Sequence, residues 1–286
     1  MRSIEIAHSP DADDIFMYYA IKFGWVNLDG FRFKNEALDI ETLNEKALEG
    51  IYDASAISFA LYPLIREDYA LLRCAVSFGQ GYGPKLIKKK EKRLKRNFRV
   101  ALSGKHTTNA MIFKLRYPEA RIKYYNFLEI EQAVLNDEVD AGVLIHESIL
   151  EYDEKLEVEA EIFDIWQDFA KDLPLPLGGM AIRRSLPLLT AINIEETLIK
   201  AVNVADSNKK LLSKMLLERD LIRVNSEKLD TYLNMYANEE SINLSEIQLK
   251  AIDKLFELGY KNGFYDKEVK ALDCLLPKEY KEIRFS

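Results

Sequence analysis

Cysteine, histidine and long apolar runs are all scarce in this chain. Its 286 residues hold 2 cysteines and 3 histidines. Cys74 and Cys274 lie far apart and neither belongs to a CxxC pair, which argues against a disulfide framework and a cysteine-based metal centre. Two reduced, buried thiols are expected instead. No stretch is apolar enough to span a bilayer. The N-terminus, MRSIEIAHSPDADD, turns acidic at once where a secretory signal would have an apolar core. A cytoplasmic location is therefore expected. Basic charge is also short, with 40 Lys and Arg against 47 Asp and Glu. General nucleic-acid binding is disfavoured, because displacing counterions from phosphates needs a basic face. The absence of a Walker loop, GxGxxG and GxSxG weakens nucleotide, dinucleotide and serine-hydrolase readings.

What is present suits a folded α/β protein. The composition is 48% hydrophobic and 30% charged, enough for real cores and unlike a disordered or fibrous chain. The length suits two lobes of roughly 100–180 residues each. Alternating Ile4 and Ile6 predict a first strand. The loop Ser9-Pro10-Asp11-Ala12 and acidic Asp13-Asp14 then open a helix that Gly24 stops. Further expected elements are a strand at 31–34, a helix at 40–48, a strand at 53–59, a strand at 99–102 and a helix from Thr107-Thr108 that Pro118 ends. A strand at 122–125, a helix at 130–135 and a strand at 139–145 follow. Strands alternating with helices predict parallel sheets. The stretches Ala47–Ala54 and Ala133–Ala141 share one grammar, a helix end, a tight turn and an Asp-Ala strand start, as two lobes of like construction would leave. After Met180-Ala181-Ile182 helical periodicity dominates, most clearly over 246–258, with a capping-box pattern at Ser245 and Gln248 and Gly259 closing it. The expected division is a first lobe of 1–95 plus 178–286 and an inserted second lobe of 96–177, hinged near residues 96 and 178.

All three histidines, His8, His106 and His146, fall at strand ends or in loops. His146 follows an apolar strand, so its ring should emerge into the crevice beyond the strands' carboxyl ends, where ligands bind in α/β sheets. An imidazole there could abstract a proton near neutral pH, or be a satisfied structural histidine. Gly104-Lys105-His106-Thr107-Thr108-Asn109 feeds a helix start whose amides and hydroxyls could cradle a carboxylate; ordinary N-capping is the plainer alternative. The carboxylates of residues 9–14 read as helix-start residues, and no His/Cys cluster accompanies them as a metal site would require. Lys88 to Arg96 reads as a solvated basic connection, and Gly79 to Gly83 as a crossing or cleft edge. Leu173 to Met180 sets fixed prolines beside a flexible glycine pair, which suits close approach to a ligand or a hinge bend.

Together, Ser9-Pro10 with Asp14, Gly104 with Thr107-Thr108, Asp140-Ala141-Gly142 leading to Ile145-His146-Glu147, and Leu175-Pro176-Leu177-Gly178-Gly179 resemble the 1,4-dihydroxy-6-naphthoate synthase family of the futalosine route to menaquinone. The resemblance implies a two-lobed type II periplasmic-binding-protein-like α/β fold with a central ligand cleft. It implies a carbon–carbon lyase that converts cyclic de-hypoxanthine futalosine to 1,4-dihydroxy-6-naphthoate. His146 matches the general base. Thr107, Thr108 and the amide of Asn109 match the carboxylate-binding helix start, Ser58 matches a cleft hydroxyl, and Ser9, Pro176 and Gly178 complete the expected substrate contacts. No metal or organic cofactor is implied. The implied partner is a small carboxylate, without nucleic acid or membrane insertion, and a homodimer is admitted. One departure stands out: the family commonly shows Ser-Pro-Cys-Pro-Asn-Asp where this chain has Ser9-Pro10-Asp11-Ala12-Asp13-Asp14, which adds negative charge near an anionic substrate. Chorismate dehydratase, a cousin of the same fold and pathway, and a non-catalytic solute-binding protein are the rival readings.

Overall fold

A computed structural model describes residues 2–28, 30–221, 225–236 and 241–279. The chain begins β1 (Arg2–His8), α1 (Ala12–Lys22), β2 (Phe31–Ala37), α2 (Ile40–Leu48) and β3 (Ala54–Ser58), followed by α3 (Tyr62–Ile65), β4 (Tyr69–Leu71) and β5 (Ser77–Gly79). It continues through β6 (Lys85–Lys89), β7 (Arg99–Leu102), α4 (Thr108–Arg116), β8 (Arg121–Tyr124), α5 (Ile130–Leu135), β9 (Ala141–Leu144), β10 (Leu156–Glu161) and α6 (Ile162–Phe169). It ends with β11 (Leu175–Arg183), α7 (Leu188–Ser207), α8 (Lys209–Leu217), α9 (Ser226–Tyr236), α10 (Glu246–Lys261) and α11 (Ala271–Cys274). Among the described residues no helix is long and apolar enough to cross a membrane.

Two sheets organise these elements. The first runs β2-β1-β3-β11-β4, with β5 also on β11, and the second runs β10-β6-β9-β7-β8. Both are mixed, which corrects the expectation of parallel sheets. The β–α–β units are parallel, β1 with β2 and β3, and β7 with β8 and β9. The strands carrying the chain between lobes, β6 and β11, pair antiparallel to their neighbours.

The lobe boundary also differs from the sequence expectation. Lys85–Lys89 pairs with β9 and β10, so the chain enters the second sheet between Gly79 and Lys85, well before residue 96. On its return, Leu175 already pairs with Gly79. The basic run is therefore not a solvated connection at its start. Lys88 is buried, with Nζ 2.6 Å from Glu157, and Lys89 and Lys92 reach Asp137 at 2.5 and 3.1 Å.

The echoed segments are the corresponding helix–turn–strand joints of the two lobes. Each turns through a residue with positive φ, Gly50 at +67° and Asp137 at +59°. Each then anchors a neighbouring strand with an aspartate. Asp53 accepts from the Glu5 amide at 3.0 Å, and Asp140 from the Arg99 amide at 2.8 Å. At the C-terminal end α10 has the full capping box at Ser245 and Gln248. It does not stop at Gly259: the helix runs to Lys261, and a Cβ at Gly259 would meet the Tyr265 ring at 2.0 Å. That glycine admits an aromatic ring, and Gly263 at φ +74° follows the helix end. The helices α7, α8 and α9 pack on α1, returning the C-terminal third to the first lobe.

Candidate active site

The parallel strands of both sheets end at one cleft, where a cavity of about 130 Å³ opens. Ser9, Asp11 and Asp14 reach it after β1, Ser58 from the end of β3 and Gly178 from β11. From the second lobe come Thr107, Thr108 and Asn109 at the start of α4, and His146 just beyond β9. Tyr232 and Tyr236 of α9 close one side. Pro176 is the one expected contact absent from the lining. It lies in β11 opposite Phe78 and shapes the strand instead. Gly178 is needed for a reason other than ligand approach, since a Cβ there would come within 2.7 Å of the Ile57 carbonyl on β3.

His146 brings an imidazole to the cleft. Its backbone sits at φ +55°, in the left-handed region that a non-glycine residue seldom adopts, and this turns the ring out of the strand direction. Nδ1 lies 2.5 Å from Oδ2 of Asp11, and the ring meets Phe127 edge-on at 4.9 Å between centroids. Nε2 is buried and has no hydrogen-bond partner among the described residues. The next residue repeats the grip, as Oε1 of Glu147 accepts from the Ala12 amide at 2.8 Å. The loop that reads as a plain helix start in the sequence is thus held twice by the histidine turn. Asp13 of that loop has a side chain outside the described residues.

The electrostatics follow from one imidazole among three carboxyl groups. Burial alone would lower the His146 pKa, but the charge of Asp11 and its hydrogen bond override this and raise it. Burial would likewise raise Asp11, and the His146 partner instead holds it below the ordinary carboxylate range. His146 acts on Asp14 as well, but as the weakest of its influences. Burial, and then the negative charge of Asp11, push it up to about 7, although its Oδ2 accepts from the Ser9 amide at 2.7 Å. Glu147 is raised by the same two causes in the same order.

The opposite wall is less free than the sequence suggests. Thr107 caps α4, accepting from the Ala110 amide at 3.3 Å and donating to Oδ1 of Asn109 at 2.6 Å. The Thr108 hydroxyl donates to the Leu177 carbonyl at 2.8 Å and accepts from the Ala60 amide at 3.1 Å. Oγ of Ser58 accepts from Asn44 at 3.0 Å. These hydroxyls tie the protein together. The part of α4 suited to an anion is its first-turn amides, Thr108 and Asn109, which have no intrahelical acceptor, together with the helix dipole. Among the described residues no lysine or arginine lines the cavity.

The glycine loop before α4 does cradle a carboxylate, but it belongs to the protein. Oε1 of Glu41 on α2 accepts from the Lys105 amide at 2.8 Å and pairs with Nδ1 of His106 at 2.8 Å, while Oε2 accepts from the His106 amide at 3.1 Å. His106 is thereby placed away from the cavity lining. His8 is a buried structural histidine, with Nδ1 against the Ser9 carbonyl at 2.8 Å and its ring stacked on Tyr18. Both cysteines are buried and free.

Comparisons with known proteins agree with this picture. A family model described as menaquinone biosynthesis matches residues 4–261. A 1,4-dihydroxy-6-naphtoate synthase of Thermus thermophilus is 29% identical over 273 residues, covering 92% of this chain and 96% of that protein. Its Streptomyces coelicolor namesake is 27% identical, covering 91% and 94%. An Archaeoglobus fulgidus protein of known crystal structure superposes with a TM-score of 0.85 at 34% identity, covering 92% of this chain and 98% of that one. The alkanesulfonate-binding protein of Xanthomonas axonopodis pv. citri superposes at 0.71 with 13% identity, covering 96% and 98%, a likeness of fold alone. The fold is that of the periplasmic binding proteins, and the chain belongs to the menaquinone-biosynthesis family.

Proposed function

We propose that this chain is a carbon–carbon lyase that converts cyclic de-hypoxanthine futalosine to 1,4-dihydroxy-6-naphthoate, with His146 as its general base. The observation that carries this reading is at His146, a residue that lines the cavity: among the described residues its Nε2 is buried with no partner, while Nδ1 is held by Asp11. A base in this position takes a proton from substrate, and the resulting imidazolium is balanced by a carboxylate held charged. The loss of the proton would trigger cleavage and aromatisation, with the sugar-derived fragment leaving. The substrate carboxylate would lie at the Thr108 and Asn109 amides, where the helix dipole supplies the positive potential that lysine and arginine do not. Asp14, raised by burial to about 7 and so about half protonated at neutral pH, would reduce the negative charge that meets an anionic substrate. The reading needs no cofactor and belongs in the cytoplasm.

The test incubates purified protein with cyclic de-hypoxanthine futalosine and, separately, with chorismate, and follows products by mass spectrometry. Release of the naphthoate is the expected result. Dehydration of chorismate would move the assignment to the cousin enzyme, and binding of either compound without turnover would make the chain a receptor. His146→Asn should abolish turnover while sparing binding; full turnover in that variant would remove the histidine from the mechanism.

A further inference from the structure

We propose that Asp11 is a positioning residue, which holds the His146 imidazole with its Nδ1–H toward the first lobe and leaves Nε2 as the basic nitrogen, so that the base is complete only when the lobes meet. The catalytic part of this inference rests on the proposed function; the geometry does not. Oδ2 of Asp11 and Nδ1 of His146 are 2.5 Å apart, and both side chains are nearly shielded from solvent, at 7% and 14% exposure. A neutral imidazole has one N–H, and a carboxylate can only accept, so the proton belongs on Nδ1 and the lone pair on Nε2. Without that acceptor either tautomer could face the cavity.

The two residues also come from different lobes. Asp11 follows β1 of the first sheet and His146 follows β9 of the second. Parallel to this pair, Glu147 accepts from the Ala12 amide at 2.8 Å. The two contacts are consecutive on both segments, 11 with 146 and 12 with 147, so one small relative movement of the lobes breaks both. An open form would carry a histidine with no fixed tautomer, and closure over substrate would restore it. Binding and activation of the base are thus one event, which reserves the chemistry for a filled cleft. The groups facing the ring are few: Asp11 and Asp14 from the first lobe, Glu147 on its own turn, and the Phe127 edge from the second lobe.

Nuclear magnetic resonance of the protein with 15N-labelled histidine tests this without any substitution, because only 3 rings must be resolved. His8→Asn and His106→Asn variants assign the other two. The expected His146 signal, above its pKa, is the Nδ1–H tautomer with an unprotonated Nε2. Finding the proton on Nε2 would overturn the proposal. Asp11→Asn should lower kcat by roughly 10²- to 10⁴-fold with KM changed little, and should move the acidic limb of the pH–rate profile to lower pH. A merely structural role would alter thermal stability but not that limb. An Asp11→Asn protein with unchanged tautomer, limb and kcat would also sink the idea, while loss of turnover in His146→Asn would leave the base reading standing on its own. Conversely, full turnover in His146→Asn would end the catalytic consequence, and the tautomer of the wild-type ring would still decide whether Asp11 holds it.

Discussion

Glu41 lies directly over Gly104, so close that a Cβ on the glycine would fall 2.2 Å from its Oε2 and 2.6 Å from its own Cβ. The carboxylate belongs to the first lobe, and the amides and ring it binds belong to the second. This is a second latch between the lobes, made by residues other than the Asp11–His146 pair.

Removing the latch should favour the open form. Bonds to a charged acceptor contribute about 1.5–3 kcal/mol each at most, and less where water competes. Glu41→Ala is expected to raise KM about 10-fold with kcat nearly preserved. Steady-state kinetics check this, and an unchanged KM would show that the latch does not limit closure.

Gly104→Ala should do much the same by a different route, because the new methyl displaces Glu41. The two effects should not add. On the Glu41→Ala background the carboxylate clash is gone but the Cβ at 41 still lies 2.6 Å from the new methyl, so the double variant should be weaker than Glu41→Ala yet fall short of the sum of the two single effects. A double-mutant cycle measures it; simple additivity would mean that Gly104 serves some other purpose.

The reaction should become faster as the base loses its proton. His146 is raised above its ordinary 6.5, so kcat/KM should climb with pH along a limb centred above 6.5. A limb at or below that value would contradict the Asp11 contact.

Stability should carry the opposite mark of Asp14. Its folded carboxyl keeps a proton up to about 7, which the unfolded chain releases near 3.8. Wild-type stability therefore falls as pH rises through that window, from the linkage between proton binding and unfolding. Asp14→Asn has no such loss, so its melting temperature should overtake that of wild type progressively between the two values and keep the lead above them. Scanning calorimetry at several pH values checks the trend; a constant difference would mean that Asp14 titrates normally.

The two residues of the Pro-Gly stretch should part company. Gly178→Ala forces a Cβ to 2.7 Å from the Ile57 carbonyl, backbone that cannot swing aside, and should destabilise by about 1–3 kcal/mol. Pro176→Ala, outside the cavity, should leave KM unchanged. Denaturant titration and kinetics of both variants decide the matter.

Much of this architecture is legible in the sequence because it is local. The bounds of α2, α5 and β7 follow from periodicity, caps and turns, and His146 beyond an apolar strand is readable as a cleft residue. The short antiparallel strands are not readable. β4 and β5 have three residues each, too few for a period to register. Nor does β6 announce itself, because its lysines look solvated until Glu157 and Asp137 are found beside them. In the site, Asp11 and Glu41 carry ordinary helix-start signals, and those signals are genuine. Their second roles depend on partners in the other lobe, as with Ala12 and Glu147, separated by 135 residues. Of the two aspartates, Asp11 and Asp13, that set this loop apart from the pattern it resembles, Asp11 is the one in contact with the histidine. Only the fold reveals that neighbour.

The insertion that separates β3 from β11 sets a timetable for synthesis. Strands 85–161 leave the ribosome as one uninterrupted set, while β11, which must lie between β3 and β4, is made afterwards. For on the order of ten seconds at ordinary elongation rates the nascent first sheet lacks the strand between β3 and β4. During that interval β3, destined to be buried at every position, presents a bare edge of the kind that recruits other chains. The later half of the molecule is thus both the closing wall of the cleft and the cover for an unpaired edge of the earlier half.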